Sequence, residues 1–171
     1  MKKTAAKLLL VLLCVTASAC TSYQKMGFSG GVEEVQLSEN AWRVTAKGNG
    51  FTRRERVANF VLLRSADLAT QNGFKYFIFV DQKEWNQKGT IYTPQQSQTT
   101  GSVNTFGNTA TLNATTTTTG GYYTTINKPN AESVVLMFKE KPQNVNGIVY
   151  EASFICSSVG PLVKAKCGEL R

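Results

Sequence analysis

TRRERVANFVLLRSADLATQNGFKYFIFVD, residues 52–81, holds a helix and the strand it packs on in one stretch. Thr52-Arg53-Arg54-Glu55 has the spacing of a capping box, in which the threonine hydroxyl takes the Glu55 amide hydrogen and the glutamate reaches back. Val57, Phe60, Val61, Leu62, Leu63, Ala66, Leu68 and Ala69 follow as one broad apolar face at helical spacing. Gly73 is placed to end that helix in the left-handed conformation, which glycine adopts without steric cost. Phe74 to Asp81 is dense in aromatic and β-branched residues and reads as a central strand. So short a link after a long amphipathic helix implies that the helix lies across a sheet.

On the N-terminal side, residues 32–37 and 41–46 each alternate, through Val35 and Leu37 and through Trp42, Val44 and Ala46. Ser38-Glu39-Asn40 between them makes a turn, so the pair predicts a hairpin. On the C-terminal side, Tyr122 to Ile126 and Ser133 to Phe138 read as strands separated by a Lys128-Pro129-Asn130 turn. Val149, Ala152, Ile155, Cys156 and Val159 recur at helical spacing and predict a second, shorter helix over 149–159, stopped by Gly160-Pro161. The expected fold class is α+β. It comprises an antiparallel sheet of about four to six strands, one long helix packed on it and a short C-terminal helix, within a single domain over 31–171.

Residues 89–127 contain no charged side chain, and Thr115 to Thr119 is an unbroken threonine run. Such a stretch has little apolar surface to offset its ordering entropy, so a flexible polar insertion over 89–121 is expected. Threonine also favours extended backbone, so a long β-ribbon competes with a loop. A tolerated insertion is the default function, against a contact surface or a glycan acceptor.

The first twenty residues speak to address. Lys2, Lys3 and Lys7 precede an apolar run over 8–15, followed by Thr16, Ala17, Ser18, Ala19 and Cys20. Basic, apolar and small segments in that order form an export signal, with an apolar run too short to span a bilayer. Ala17-Ser18-Ala19-Cys20 resembles the lipobox of bacterial lipoproteins, with Ala17 where Leu, Val or Ile is usual. On that resemblance residues 1–19 are a signal peptide, Cys20 carries the lipid, and 20–30 form a tether. Several acyl chains on one sulfur anchor stably, since each buried methylene contributes about 0.8 kcal/mol. Thr21, rather than Asp, follows the cysteine, which by resemblance to enterobacterial sorting favours a periplasm-facing position on the outer membrane.

The 171 residues carry a net +8. Without residues 1–19 there remain 16 basic against 11 acidic residues, a net +5. That charge, on an exported chain, argues against nucleic acid as a partner. Histidine is absent, which removes the commonest general base and metal ligand. No nucleotide loop, zinc motif or nucleophile elbow is found, so no enzyme, metal or cofactor is expected. Cys156 and Cys167, eleven residues apart, read as a disulfide in an oxidising compartment, with two free thiols as the alternative. Arg53, Arg54 and Arg56 crowd a helix N-terminus whose dipole opposes them. They are either tolerated by solvent or meet an anionic ligand. Asp67, three residues from Arg64, pairs with it on the helix surface for about 0.2–0.5 kcal/mol, and Asp81 ends its strand, in a turn role or, as the alternative, as a site residue.

Several segments then recur together: the lipobox, Gly30-Gly31, W-R-V at 42–44, G-N-G-F-T at 48–52, L-L-R-S-A-D-L at 62–68, N-G-F-x-x-F-x-x-V at 72–80, Lys128-Pro129 and V-Y-E-A at 149–152. In these the chain resembles a Caulobacter-type family of small proteobacterial envelope lipoproteins of unknown activity. The resemblance implies an α+β fold and a membrane address, and brings no catalytic residues. Function is accordingly expected to be non-catalytic, as a structural, assembly or adaptor component with an envelope protein partner. The alternative is a binding module for an anionic glycan or lipid using Arg53, Arg54 and Arg56.

Overall fold

A computed structural model describes residues 20–170, so the signal peptide expected over 1–19 lies outside the described residues. The order is β1 (Gly31–Ser38), β2 (Ala41–Lys47), α1 (Arg54–Gln71), β3 (Tyr76–Thr93), β4 (Gln96–Phe106), β5 (Thr109–Thr119), β6 (Tyr122–Phe138), β7 (Tyr150–Glu151) and α2 (Ala152–Val163). The class is α+β, as expected. A five-stranded sheet runs β1-β2-β6-β3-β7, and a two-stranded sheet pairs β4 with β5. The chain divides into two compact units, residues 88–126 and the remainder. Among the described residues no helix is long and apolar enough to cross a membrane.

In the larger unit the apolar face of α1 and the inner face of the sheet share one core. Val57, Phe60, Val61, Leu63, Leu68 and Ala69 from α1 meet Trp42, Val44 and Ala46 from β2, Phe77 from β3, and Val135 and Met137 from β6. Ile155, Val159 and Val163 of α2 join them, and α1 packs against both α2 and β2. Phe60, Phe77, Leu63 and Met137 are the largest fully buried side chains. Burying each such side chain stabilises by about 1.5–3 kcal/mol.

α1 ends as its sequence predicts. Gly73 has φ +76°, the Phe74 amide donates to the Ala69 carbonyl at 2.8 Å, and the Gly73 amide donates to Thr70 at 3.2 Å. This is the Schellman arrangement. α2 ends in the same way without a glycine. Lys164 takes φ 57°, and the amides of Lys164 and Ala165 donate to the carbonyls of Pro161 and Gly160. The expected stop at Gly160-Pro161 is therefore misplaced: the helix covers Ala152–Val163 with Pro161 inside it. Pro161 withdraws the N–H that would bond the Ser157 carbonyl four residues back, and Ser157 is exposed, so water takes that place.

Four further expectations are corrected. The β1–β2 hairpin forms, with Val32 opposite Ala46 and Glu34 opposite Val44, but Val35 and Leu37 face outward, 54% and 45% exposed. Side chains alternate faces along a strand, and in β1 the inward set is Val32 and Glu34, because Glu34 meets an arginine of α1. Lys128-Pro129-Asn130 makes no turn but lies within β6. The Pro129 carbonyl accepts from the Gly48 amide at 2.8 Å. A strand residue's N and C=O point to the same side, so the donor that proline lacks faces the point where β2 has ended. Asp81 lies inside β3 rather than at its end, and pairs with Lys83 at 3.0 Å.

The fourth concerns residues 21–30, which are no tether. Thr21 is 1% and Tyr23 8% exposed. The Val32 amide donates to the Gln24 carbonyl and the Met26 amide to the Val32 carbonyl, each at 2.8 Å. A Cβ on Gly30 would lie 2.2 Å from the Lys47 carbonyl oxygen, and one on Gly31 2.6 Å from those of Gln24 and Lys25. Two glycines with positive φ thus let the segment fold back against the hairpin, an approach no side chain permits.

The unit over 88–126 resolves the loop against the ribbon. β4 and β5 pair without a bulge from Gln96↔Thr119 to Phe106↔Thr109, across a two-residue Gly107-Asn108 turn. Threonine's preference for a pleated backbone prevails over the scarcity of core-forming residues.

Candidate functional site

Three clusters of polar chemistry lie on the larger unit. The first surrounds Cys20, the expected lipid carrier. Its thiol is free and exposed and donates to the Phe51 carbonyl at 3.4 Å. Thr21 is locked down beside it. The Thr21 amide donates to Thr52 Oγ1 (3.1 Å) and its hydroxyl donates to the Ser29 carbonyl (2.7 Å). The Asn49 amide donates to both hydroxyls, at 3.1 Å to Thr21 and 3.2 Å to Thr52.

Thr52 therefore does not cap α1. The N-cap is Arg53, without a side-chain cap bond, because the Thr52 hydroxyl is committed to Thr21 and Asn49. Thr52→Val, which keeps the shape and removes the hydroxyl, takes the acceptor from the Thr21 amide and one of two from the Asn49 amide. The expected loss is about 1–3 kcal/mol, read by urea denaturation, with faster hydrogen exchange at those two amides.

The three arginines are not equivalent. Arg53 and Arg54 are exposed. Arg56 is spent on the protein itself: Nε donates to the Thr21 carbonyl at 3.0 Å and a terminal nitrogen to the Val163 carbonyl at 3.1 Å. Its guanidinium also sits 5.2 Å over the Phe60 ring. It ties the N-terminal segment to the end of α2, a role invisible in sequence, and the three-arginine anion site loses its third member.

The second cluster is buried. Arg64, 6% exposed, and Asp67, 1% exposed, bond at 2.7 Å. Arg64 also grips Glu34 of β1 with two hydrogen bonds, 3.1 and 2.7 Å. Asp67 Oδ1 accepts from Gln71 at 2.9 Å and from the Gly168 amide at 2.7 Å. The helix pair read from sequence exists, but in the interior, where it joins β1, α1 and the C-terminal tail. Burial lowers the pKa of Arg64, yet the hydrogen bonds and charge of Glu34, aided by Asp67, outweigh it and leave the group raised.

Tyr23 borders this network, its ring 5.7 Å from that of Phe60, and its buried hydroxyl has no hydrogen-bond partner among the described residues. Burial first, then the charge of Asp67, pushes the phenol well above its ordinary 10.0. The folded state thus holds a proton that the unfolded chain releases near pH 10. Stability is intact below that pH and falls as pH rises toward the folded value, by up to about 1.4 kcal/mol per pH unit. Tyr23→Phe should stay within about 0.5 kcal/mol of wild type at pH 7, or gain, since the hydroxyl forgoes nothing. It should also remove this share of the alkaline loss in urea titrations between pH 9 and pH 11.

The third is the disulfide. Cys156 and Cys167 are bonded, with Cα atoms 5.6 Å apart. Between α2, the tail and Thr70 lies a groove of about 810 Å³, lined by Cys156 and Cys167 together with Lys164, Lys166 and Glu169. Among the described residues no group of three or more His, Cys, Asp or Glu side chains is arranged to hold a metal ion.

Comparison with known proteins adds nothing to these three clusters: no protein-family model, no curated protein and no solved structure matches this chain.

Proposed function

We propose that the chain is exported, cut before Cys20 and acylated on that sulfur. On this reading it serves as a non-catalytic structural, assembly or adaptor component on the periplasmic side of the outer membrane. The observation that carries the reading is the contrast between adjacent residues. Cys20 is an exposed free thiol, whereas Thr21 is 1% exposed and bonded through its amide, hydroxyl and carbonyl. Chains on that sulfur reach solvent unhindered, and no slack separates them from the folded body.

The neighbouring surface suits a bilayer. Phe51, whose carbonyl accepts from the Cys20 thiol, is 70% exposed, and Phe28 is wholly exposed beside Ser29, which accepts from Thr21. Aromatic rings settle at the head-group boundary, and exposed Arg53 and Arg54 meet anionic head groups there at about 1 kcal/mol each. The anionic-ligand reading thereby becomes part of membrane seating, with two arginines rather than three.

Fractionation of cells expressing the full chain tests the reading. The wild-type protein should remain with membranes through high salt and partition into detergent. Cys20→Ser should accumulate as the larger precursor and lose the detergent-phase mature form. Identical processing and partition of the two would refute it. In the wild-type background, Arg53→Ala with Arg54→Ala should leave anchoring intact.

A further inference from the structure

The unit over 88–126 has features that a tolerated insertion does not need. β4 and β5 are eleven residues each, without a charged side chain. In the two-stranded sheet each strand has one partner, so the outer edges carry unpaired amides and carbonyls.

The two faces differ. Paired residues across an antiparallel ladder share a face, so the register assigns every side chain. One face carries the pairs Val103–Leu112, Gly101–Ala114, Thr105–Ala110, Thr99–Thr116 and Ser97–Thr118. The other carries Gln96, Gln98, Ser102, Asn104 and Asn113 among threonines, with Phe106 at the turn. The hydroxyls of the first face are largely paired with each other, Thr99 to Thr116 at 2.8 Å and Ser97 to Thr118 at 3.0 Å. The amide side chains lie on the second face.

Aromatic residues mark both ends. Phe106 at the turn is 93% exposed. At the base the Tyr92 and Tyr123 rings meet at 4.8 Å, and Tyr122 and Tyr123 are 57% and 75% exposed. A strand of this length extends about 36 Å; tilted as barrel strands are, it spans about 28 Å, close to the apolar band of a membrane barrel.

We propose that this hairpin is a membrane-spanning β-hairpin, which pairs along both edges with the same hairpin of further copies of this chain. The copies close a barrel whose Val103–Leu112 face meets lipid and whose Gln- and Asn-bearing face lines the interior. Closure is required: no water in the hydrocarbon satisfies an open edge, so a lone two-stranded ribbon cannot sit there. A second copy supplies an edge of identical length and neutral character, with no like-charge repulsion. The proposal goes beyond the anchored-component reading and stands or falls without an acylated Cys20.

The test uses the full chain carrying Cys14→Ser and Cys20→Ser, with one new cysteine at a time along the hairpin. Each is labelled with an environment-sensitive fluorophore and mixed with phosphatidylethanolamine–phosphatidylglycerol vesicles. Val103→Cys, Gly101→Cys and Leu112→Cys should brighten severalfold, whereas Ser102→Cys, Asn104→Cys and Asn113→Cys should not. Adding Val103→Lys to the Leu112→Cys chain should abolish its response without changing the far-ultraviolet spectrum. Crosslinking in the same vesicles should give oligomers. Uniform emission along the hairpin, or a brightening that alternates while the protein stays monomeric, overturns the proposal.

Discussion

Arg64→Ala is expected to destabilise the larger unit by about 3–5 kcal/mol, the most of any single polar substitution here. The reason is what it leaves behind. Asp67 is 1% exposed, and removal of Arg64 strands its charge in the interior with only Gln71 and the Gly168 amide as partners. Glu34→Ala should cost less, because the Glu34 side chain is 28% exposed and water takes over part of its role. The double variant Arg64→Leu with Asp67→Leu should recover part of the loss, since no lone charge remains. Urea denaturation at pH 7 measures all three, and the cycle isolates the pair's coupling. A loss under 1 kcal/mol for Arg64→Ala would mean that the network is solvated in solution.

Removal of the disulfide has the next largest expected effect. The bond closes a loop of sequence separation 11, for which the chain-entropy account gives about 3 kcal/mol. Its consequence is local as well as global. Among the described residues the tail after α2 is held by this bond, by the Gly168 amide on Asp67 and by Ala165, Cys167 and Leu170 packed against the core, so cutting the first shifts the load onto the others. Cys156→Ala with Cys167→Ala should lower the urea midpoint and speed hydrogen exchange at Gly168, while wild type in dithiothreitol reproduces both changes. Equal midpoints for oxidised and reduced protein would remove the bond from the stability account.

The elements that sequence made legible are those whose pattern is local. α1 is readable because its apolar face and Gly73 stop lie within one continuous stretch, and β2 because Trp42, Val44 and Ala46 alternate toward a single core. Several of the misreadings share one cause, a partner distant in sequence. Glu34 turns inward only because Arg64, thirty residues on, awaits it, so the alternation of β1 is inverted. Thr52 has the spacing of a cap but spends its hydroxyl on Thr21. Residues 21–30 look polar enough for a tether, yet Thr21 is bound by Asn49 and Thr52 of the loop before α1. Arg56 stands in a row of three like charges, and only the fold shows it reaching Thr21 and Val163. The ribbon was legible as one of two readings, since threonine content speaks for strand and low apolar content for loop. Register, not composition, divides its faces.

The central claim is covalent, and intact-mass measurement of the protein isolated from membranes tests it most directly. The expected product is a chain that begins at Cys20 with diacylglycerol on its sulfur, heavier than residues 20–171 by a glyceryl unit and two or three acyl groups. A mass equal to the full 171 residues, or to a chain starting at Cys20 with a bare thiol, would contradict it.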